Sequence, residues 1–141
     1  AGGDMIDVRV QSGDFDPGRQ IERLRELGRG AVSSLLSVVE AGEGVTHILV
    51  EHYAAMAKAE LGRIAGEADG RWPLAGIILI HRHGKLVPGD KMAFVGVAAS
   101  DRAVAAEACA FLSEAVNARA PFWRKEMLGD KTGRWTESLP G

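Results

Sequence analysis

The chain has 141 residues, with 17 Lys and Arg against 19 Asp and Glu, and 46% of it is hydrophobic, enough for an ordinary globular interior. That length suits one domain with one core. A net charge of −2 lacks the basic excess of a nucleic-acid binder, and no apolar run approaches the ~20 residues that span a bilayer.

Residues 1–4 precede Met5 and read as an expression scar, leaving 5–141 as a single domain. No signal-peptide pattern opens the chain. Ile6, Val8 and Val10 alternate with polar neighbours and predict a short strand. Asp16 can cap a helix whose first turn holds Pro17, and Ile21, Leu24 and Leu27 give that helix its apolar spacing up to Gly28. Residues 31–40, with Val32, Leu35, Leu36, Val38 and Val39, read as a mostly buried strand. A turn at 41–44 leads to a second strand, 45–53, and the two strands suggest a hairpin.

Residues 54–70 predict a helix with Met56, Leu61, Ile64 and Ala68 on one face, broken by Trp72-Pro73. The run Ile77-Ile78-Leu79-Ile80 reads as a strand covered on both faces. A connection with a Pro88-Gly89 turn follows, then a strand over 92–99 and a helix over 102–118 capped by Ser100 or Asp101. The remainder, 122–141, reads as mixed strand and loop ending in an irregular, mobile tail. The order argues for helices packed on a mixed, largely antiparallel sheet.

Cys109 is the lone cysteine, set among alanines, and reads as a small buried residue; by default this suits the cytoplasm. His81 and His83 share a strand face, but no third ligand accompanies them, so no metal is expected. Glu51-His52-Tyr53 fits either a sheet edge or one wall of a site. There is no P-loop, G-x-G-x-x-G or G-x-S-x-G, the usual marks of nucleotide, dinucleotide and serine chemistry. Around the rigid Pro121-Phe122-Trp123 break, Arg119, Arg124 and Lys125 suit either an anionic ligand or a helix C-terminus followed by an edge strand. Asp101-Arg102, at a helix start, suits either an anion contact or a plain cap with a solvent-facing arginine.

Taken jointly, Gly30-Ala31-Val32, Glu51-His52-Tyr53 with Met56, Arg71-Trp72-Pro73-Leu74, His81-Arg82 with Gly84 and Leu86, Pro88-Gly89-Asp90, Phe94-Val95-Gly96-Val97, Glu107-Ala108, Arg119-Ala120-Pro121-Phe122-Trp123 with Glu126, and Arg134-Trp135 carry a resemblance. In order and spacing they resemble the large, catalytic subunit of molybdopterin synthase, over almost the whole chain from Met5. The resemblance implies an α/β hammerhead fold with an additional small antiparallel sheet, a homodimer, and a ubiquitin-like small subunit whose C-terminal Gly-Gly tail enters the large one. It implies sulfur transfer from that tail's thiocarboxylate to cyclic pyranopterin monophosphate, with no cofactor of its own.

Residue by residue, the resemblance puts the family's Phe-x-Gly-x-Val-Arg strand end on Leu35, Ser37, Val39 and Glu40, its His-Arg pair on Asp101-Arg102, its helix lysine on Asn117 and its second lysine on Arg124, with Lys125 next to it. The resemblance therefore implies chemistry at Lys125, Asn117 and Arg124, and substrate binding at Asp101, Arg102, Arg124, Lys125, Glu126, Arg119, Arg82 and Glu40. Arginine cannot deprotonate to act as a base, Asn117 has neither charge nor nucleophilicity, and Glu40 reverses a charge. A neighbour in an extended segment faces the other way, so Lys125 is expected opposite Arg124. Two further readings stand beside the enzyme: a catalytically weakened paralogue acting as a binding or regulatory partner, and an unrelated small-anion-binding domain.

Overall fold

The computed structural model describes residues 5–40 and 42–129 and the backbone of 133–136. The elements are β1 (Met5–Gln11), α1 (Pro17–Arg25), β2 (Ala31–Val38), β3 (Val45–His52), α2 (Ala54–Arg71), β4 (Leu74–Arg82), β5 (Gly84–Leu86), β6 (Lys91–Ala99), α3 (Arg102–Arg119), β7 (Phe122–Leu128) and β8 (Gly133–Thr136). They form two four-stranded sheets, ordered β1-β4-β6-β2 and β5-β3-β7-β8. Only β1 and β4 run parallel; the other pairings are antiparallel. This is the expected mixed α/β architecture, a larger sheet carrying the helices and a smaller antiparallel one beside it. The first four residues and most of the C-terminal tail lie outside the described residues.

The run in β4 explains the layering. Ile77 and Leu79 join the main core with Leu61 and Ile64 of α2 and Leu112 of α3, while Ile78 and Ile80 join a second core with Phe15 and Leu24. Successive side chains leave a strand on opposite faces, so a continuous apolar run is what a strand between two cores needs. Helix α1 lies close on its sheet because two glycines make room. A Cβ on Gly96 would come within 2.6 Å of Leu24 Cδ1, and one on Gly76 within 2.5 Å of Leu27 Cδ1. Asp16 caps α1 by accepting from Arg19 N at 3.3 Å, and Cys109 is buried as expected.

Three expectations are corrected. β2 and β3 make no hairpin: β2 pairs with β6 in one sheet, and β3 pairs with β5 and β7 in the other. The turn at 42–44 therefore carries the chain from sheet to sheet. β2 is an edge strand rather than a mostly buried one, and Leu35, Leu36 and Val38 stand exposed. On α2 the buried face is Ala57, Leu61, Ile64, Ala65 and Ala68, and Met56 points outward. The Pro88-Gly89 turn holds, with Gly89 at φ 95° and the Asp90 carboxylate accepting from Val87 N at 2.9 Å.

Candidate functional site

Where the two sheets meet, a cleft of about 580 Å³ is lined by Ser37, Val38, Glu40, Gly42, Met92 and Arg124. Each wall follows from the topology. The end of β2 supplies Ser37 and Val38, the sheet-to-sheet connection Glu40 and Gly42, the start of β6 Met92, and β7 Arg124. On β7, Arg124 is paired with Val50, whose side chain is buried, so its own side chain shares that inward face. Burial pulls the Arg124 pKa below the ordinary arginine value, though guanidinium stays charged throughout the physiological range. Among the described residues Arg124 has no carboxylate partner, and it makes no ion pair with Glu40 across the cleft. A partly desolvated guanidinium left without a carboxylate is equipped to hold an anion.

Beside it runs a column of rings. His81 lies flat on Phe122 (centroids 3.7 Å apart, planes at 9°), Phe122 stacks on His52 at 5.7 Å, and His52 meets His83 at 4.0 Å. His81 is buried, and its Nδ1–H donates to the Arg82 carbonyl at 2.8 Å, which leaves its Nε2 as an acceptor. Burial pushes the His81 pKa down to about 4, with the charge of Arg124 adding to the effect. His52 is lowered too, by burial first and then by His83. Burial thus favours the neutral form of both His81 and His52 beside the Arg124 cleft. Pattern reading noticed His81 and His83 only as metal candidates; among the described residues no group of three or more His, Cys, Asp or Glu is placed to hold a metal.

Lys125 faces the other way. It is paired with Leu49, which also pairs with Lys85, on the face opposite Arg124. Trp123 and Glu51 share that outer face and, with His52 and Tyr53, line a second cleft of about 310 Å³. Glu126, paired with Ile48, shares the inner face with Arg124.

The remaining candidates sit elsewhere. Asp101 is the cap of α3, accepting from Ala103 N at 2.8 Å and Val104 N at 3.1 Å. Arg102 opens the helix as an exposed side chain with no ion pair among the described residues. Asn117 is exposed near the end of α3 and lines none of these clefts. Arg119 ties α3 to α2, its Nε donating to Glu60 at 2.9 Å and its Nη1 to Glu67 at 3.1 Å. Arg82, only 12% exposed, donates to the Ser12 carbonyl at 3.0 Å and the Lys91 carbonyl at 3.1 Å and so pins the ends of strands. Both arginines are committed to the fold, and neither lines the Arg124 cleft.

Arg102 and the cleft lie at opposite ends of β6. Met92 is near its start, and Arg102 comes three residues after its last, Ala99. At ~3.3 Å per residue the strand separates them by roughly 25–30 Å, beyond the reach of an arginine side chain. One chain by itself does not assemble Arg102, Arg124 and Lys125 around one anion.

Comparison with known proteins agrees with this architecture. The model of the family described as "MoaE protein" matches residues 10–119. The chain is 45% identical over 136 residues to the molybdopterin synthase catalytic subunit of Mesorhizobium japonicum, covering 93% of this chain and 85% of that one. It is 41% identical over 140 residues to that of Escherichia coli K12, covering 95% and 93%. The solved structure of the molybdopterin biosynthesis MoaE protein from Burkholderia ambifaria superposes with a TM-score of 0.82 at 33% identity, over 96% of this chain and 91% of that one.

Proposed function

The chain belongs to the MoaE family of molybdopterin synthase catalytic subunits, and on that premise we propose that it moves sulfur from a thiocarboxylated small subunit to cyclic pyranopterin monophosphate. In each transfer the acyl carbon–sulfur bond of the small subunit's Gly-Gly tail breaks, and on the pterin side chain a new carbon–sulfur bond replaces a carbon–oxygen bond. The oxygen displaced from the side chain leaves as phosphate oxygen or as water, and water adds to the acyl carbon, so that the tail ends as a carboxylate. Two such transfers complete the product.

The observation that carries this reading is Arg124: half-buried, without a carboxylate partner among the described residues, and lining a cleft large enough for a small ligand. In this reading it takes the substrate phosphate. Because Arg102 stands at the far end of β6, it reaches the same substrate only from a second copy of the chain. The exposed leucines and Val38 on the edge strand β2 support self-association, since an apolar edge of this kind is normally covered. The site is thus shared between two protomers.

A slowed enzyme is the second reading. The resemblance puts a family lysine at Arg124 and another at Asn117, which leaves Lys125 as the amine of the segment, and the register supports this reading because Lys125 faces away from Arg124. The deciding experiment is reconstitution with thiocarboxylated small subunit and the cyclic precursor, reading molybdopterin as its fluorescent oxidised derivative. Formation of molybdopterin supports the enzyme. Binding of both partners with no product supports the weakened paralogue.

A further inference from the structure

The cleft between the sheets holds one cation and one anion that do not neutralise each other. Arg124 and Glu40 both line it, together with Ser37, Gly42 and the apolar side chains of Val38 and Met92. No ion pair joins Glu40 to any described residue. For a purely anionic ligand such a carboxylate is a liability, since it repels what Arg124 attracts. For a ligand that is anionic at one end and a hydrogen-bond donor at the other, both groups contribute.

We propose that Glu40 is a specificity-determining contact: its carboxylate accepts paired hydrogen bonds from the 2-amino group and ring N–H of the substrate's pterin, while Arg124 holds the phosphate. This rests on the proposed substrate and deepens it, because the family position carries an arginine and that arginine cannot accept a hydrogen bond. The chemistry is that of a planar fork. An amino-pyrimidinone edge presents two nearly parallel N–H donors, and a carboxylate meets such a pair with its two oxygens, as it meets the guanidinium of arginine. Val38 and Met92 supply the apolar contact that a flat heterocycle needs, the thioether of methionine being well suited to an aromatic face. The site then reads one end of the substrate by charge and the other by donor pattern.

Two probes isolate the second function without any sulfur transfer. 6-Hydroxymethylpterin carries the 2-amino group, and the corresponding lumazine has a 2-oxo group in its place. Calorimetry or fluorescence titration of the full chain should show the pterin bound at least about tenfold more tightly than the lumazine, the effect of one charge-assisted hydrogen bond. Glu40→Gln should abolish that preference, because the amide sets an N–H against one of the ligand's donors. Its affinity for inorganic phosphate should be unchanged or tighter, which also shows that the cleft is still folded. Glu43→Gln, a nearby exposed carboxylate outside the cleft, should keep the preference. A wild-type chain that binds neither probe, or does not distinguish them, overturns the inference, as does a Glu40→Gln chain that still prefers the pterin. If the preference is present and lost with Glu40 while no molybdopterin forms on reconstitution, the sulfur-transfer reading fails and this one stands.

Discussion

A heterodimer carrying Arg102→Ala in one chain and Arg124→Ala in the other separates the two ways of building the anion site. The strand between them is nine residues long, and at ~3.3 Å per residue this places Arg102 roughly 25–30 Å from the cleft of its own chain. Each substitution alone, present in both chains, removes a charge-assisted hydrogen bond and should weaken precursor binding by roughly 1.5–3 kcal/mol, about 10–150-fold. In the mixed dimer the outcome depends on who supplies Arg102. If each site takes Arg124 from one chain and Arg102 from the other, one of the sites carries both lesions and the other carries none, so about half of the wild-type activity per dimer returns. If each site is built within one chain, every site carries one lesion and activity stays near that of the single variants. Co-expression with two affinity tags yields the mixed dimer, and single-turnover molybdopterin formation gives the readout. Activity no higher than that of the two symmetric variants would refute the shared site.

Gly96→Ala should cost about 1–3 kcal/mol by overpacking against Leu24 and Phe94, lowering Tm by about 3 °C per kcal/mol, as measured by thermal denaturation. His81 has a folded pKa of about 4 against about 6.5 unfolded. The unfolded chain therefore binds the extra proton in between, and stability should fall by about 3 kcal/mol as pH drops from about 6.5 to 4. Urea titrations across that window should show the slope, and His81→Gln should flatten it. Combining Asn117→Lys with Arg124→Lys, Glu40 being kept, should raise single-turnover sulfur transfer, with general acid–base help typically worth ~10²–10⁴-fold. A double variant that binds both partners yet remains no faster would show that the residue correspondence at this site is wrong.

Much of the fold was legible because it rests on local signals. Asp16 and Asp101 announced two helix starts through their capping chemistry, and the run at 77–80 announced a strand buried on both faces. The hairpin of β2 and β3 was misread because pairing is a long-range property. A short turn between two apolar strands is compatible with either one sheet or two, and here β3 pairs with β7, some seventy residues on, while β2 goes to β6. The apolar residues of β2 were read as core for the same reason: periodicity reports what a strand could bury, not whether anything covers it. At the site, alternation correctly placed Lys125 opposite Arg124. Arg119 and Arg82 looked like ligand-binding cations because nothing in their neighbouring residues reveals Glu60, Glu67 or the Ser12 carbonyl as partners. The ring column stayed hidden because its members come from separate strands and the segments beside them.

The split duty of β4 constrains how this protein can change length. Neighbouring residues of that strand belong to different cores, Ile77 and Leu79 to the one under α2 and α3, Ile78 and Ile80 to the one under α1. Inserting or deleting a single residue there would exchange the two sets and move every side chain beyond the change into the wrong interior. The turn at Glu43 and Gly44 carries no such burden, since both residues are exposed and lie beyond Val39, which is buried in the main core, and Glu40, which lines the cleft. Length variation has room at that turn, while the strand at the centre of the molecule keeps its residue count fixed.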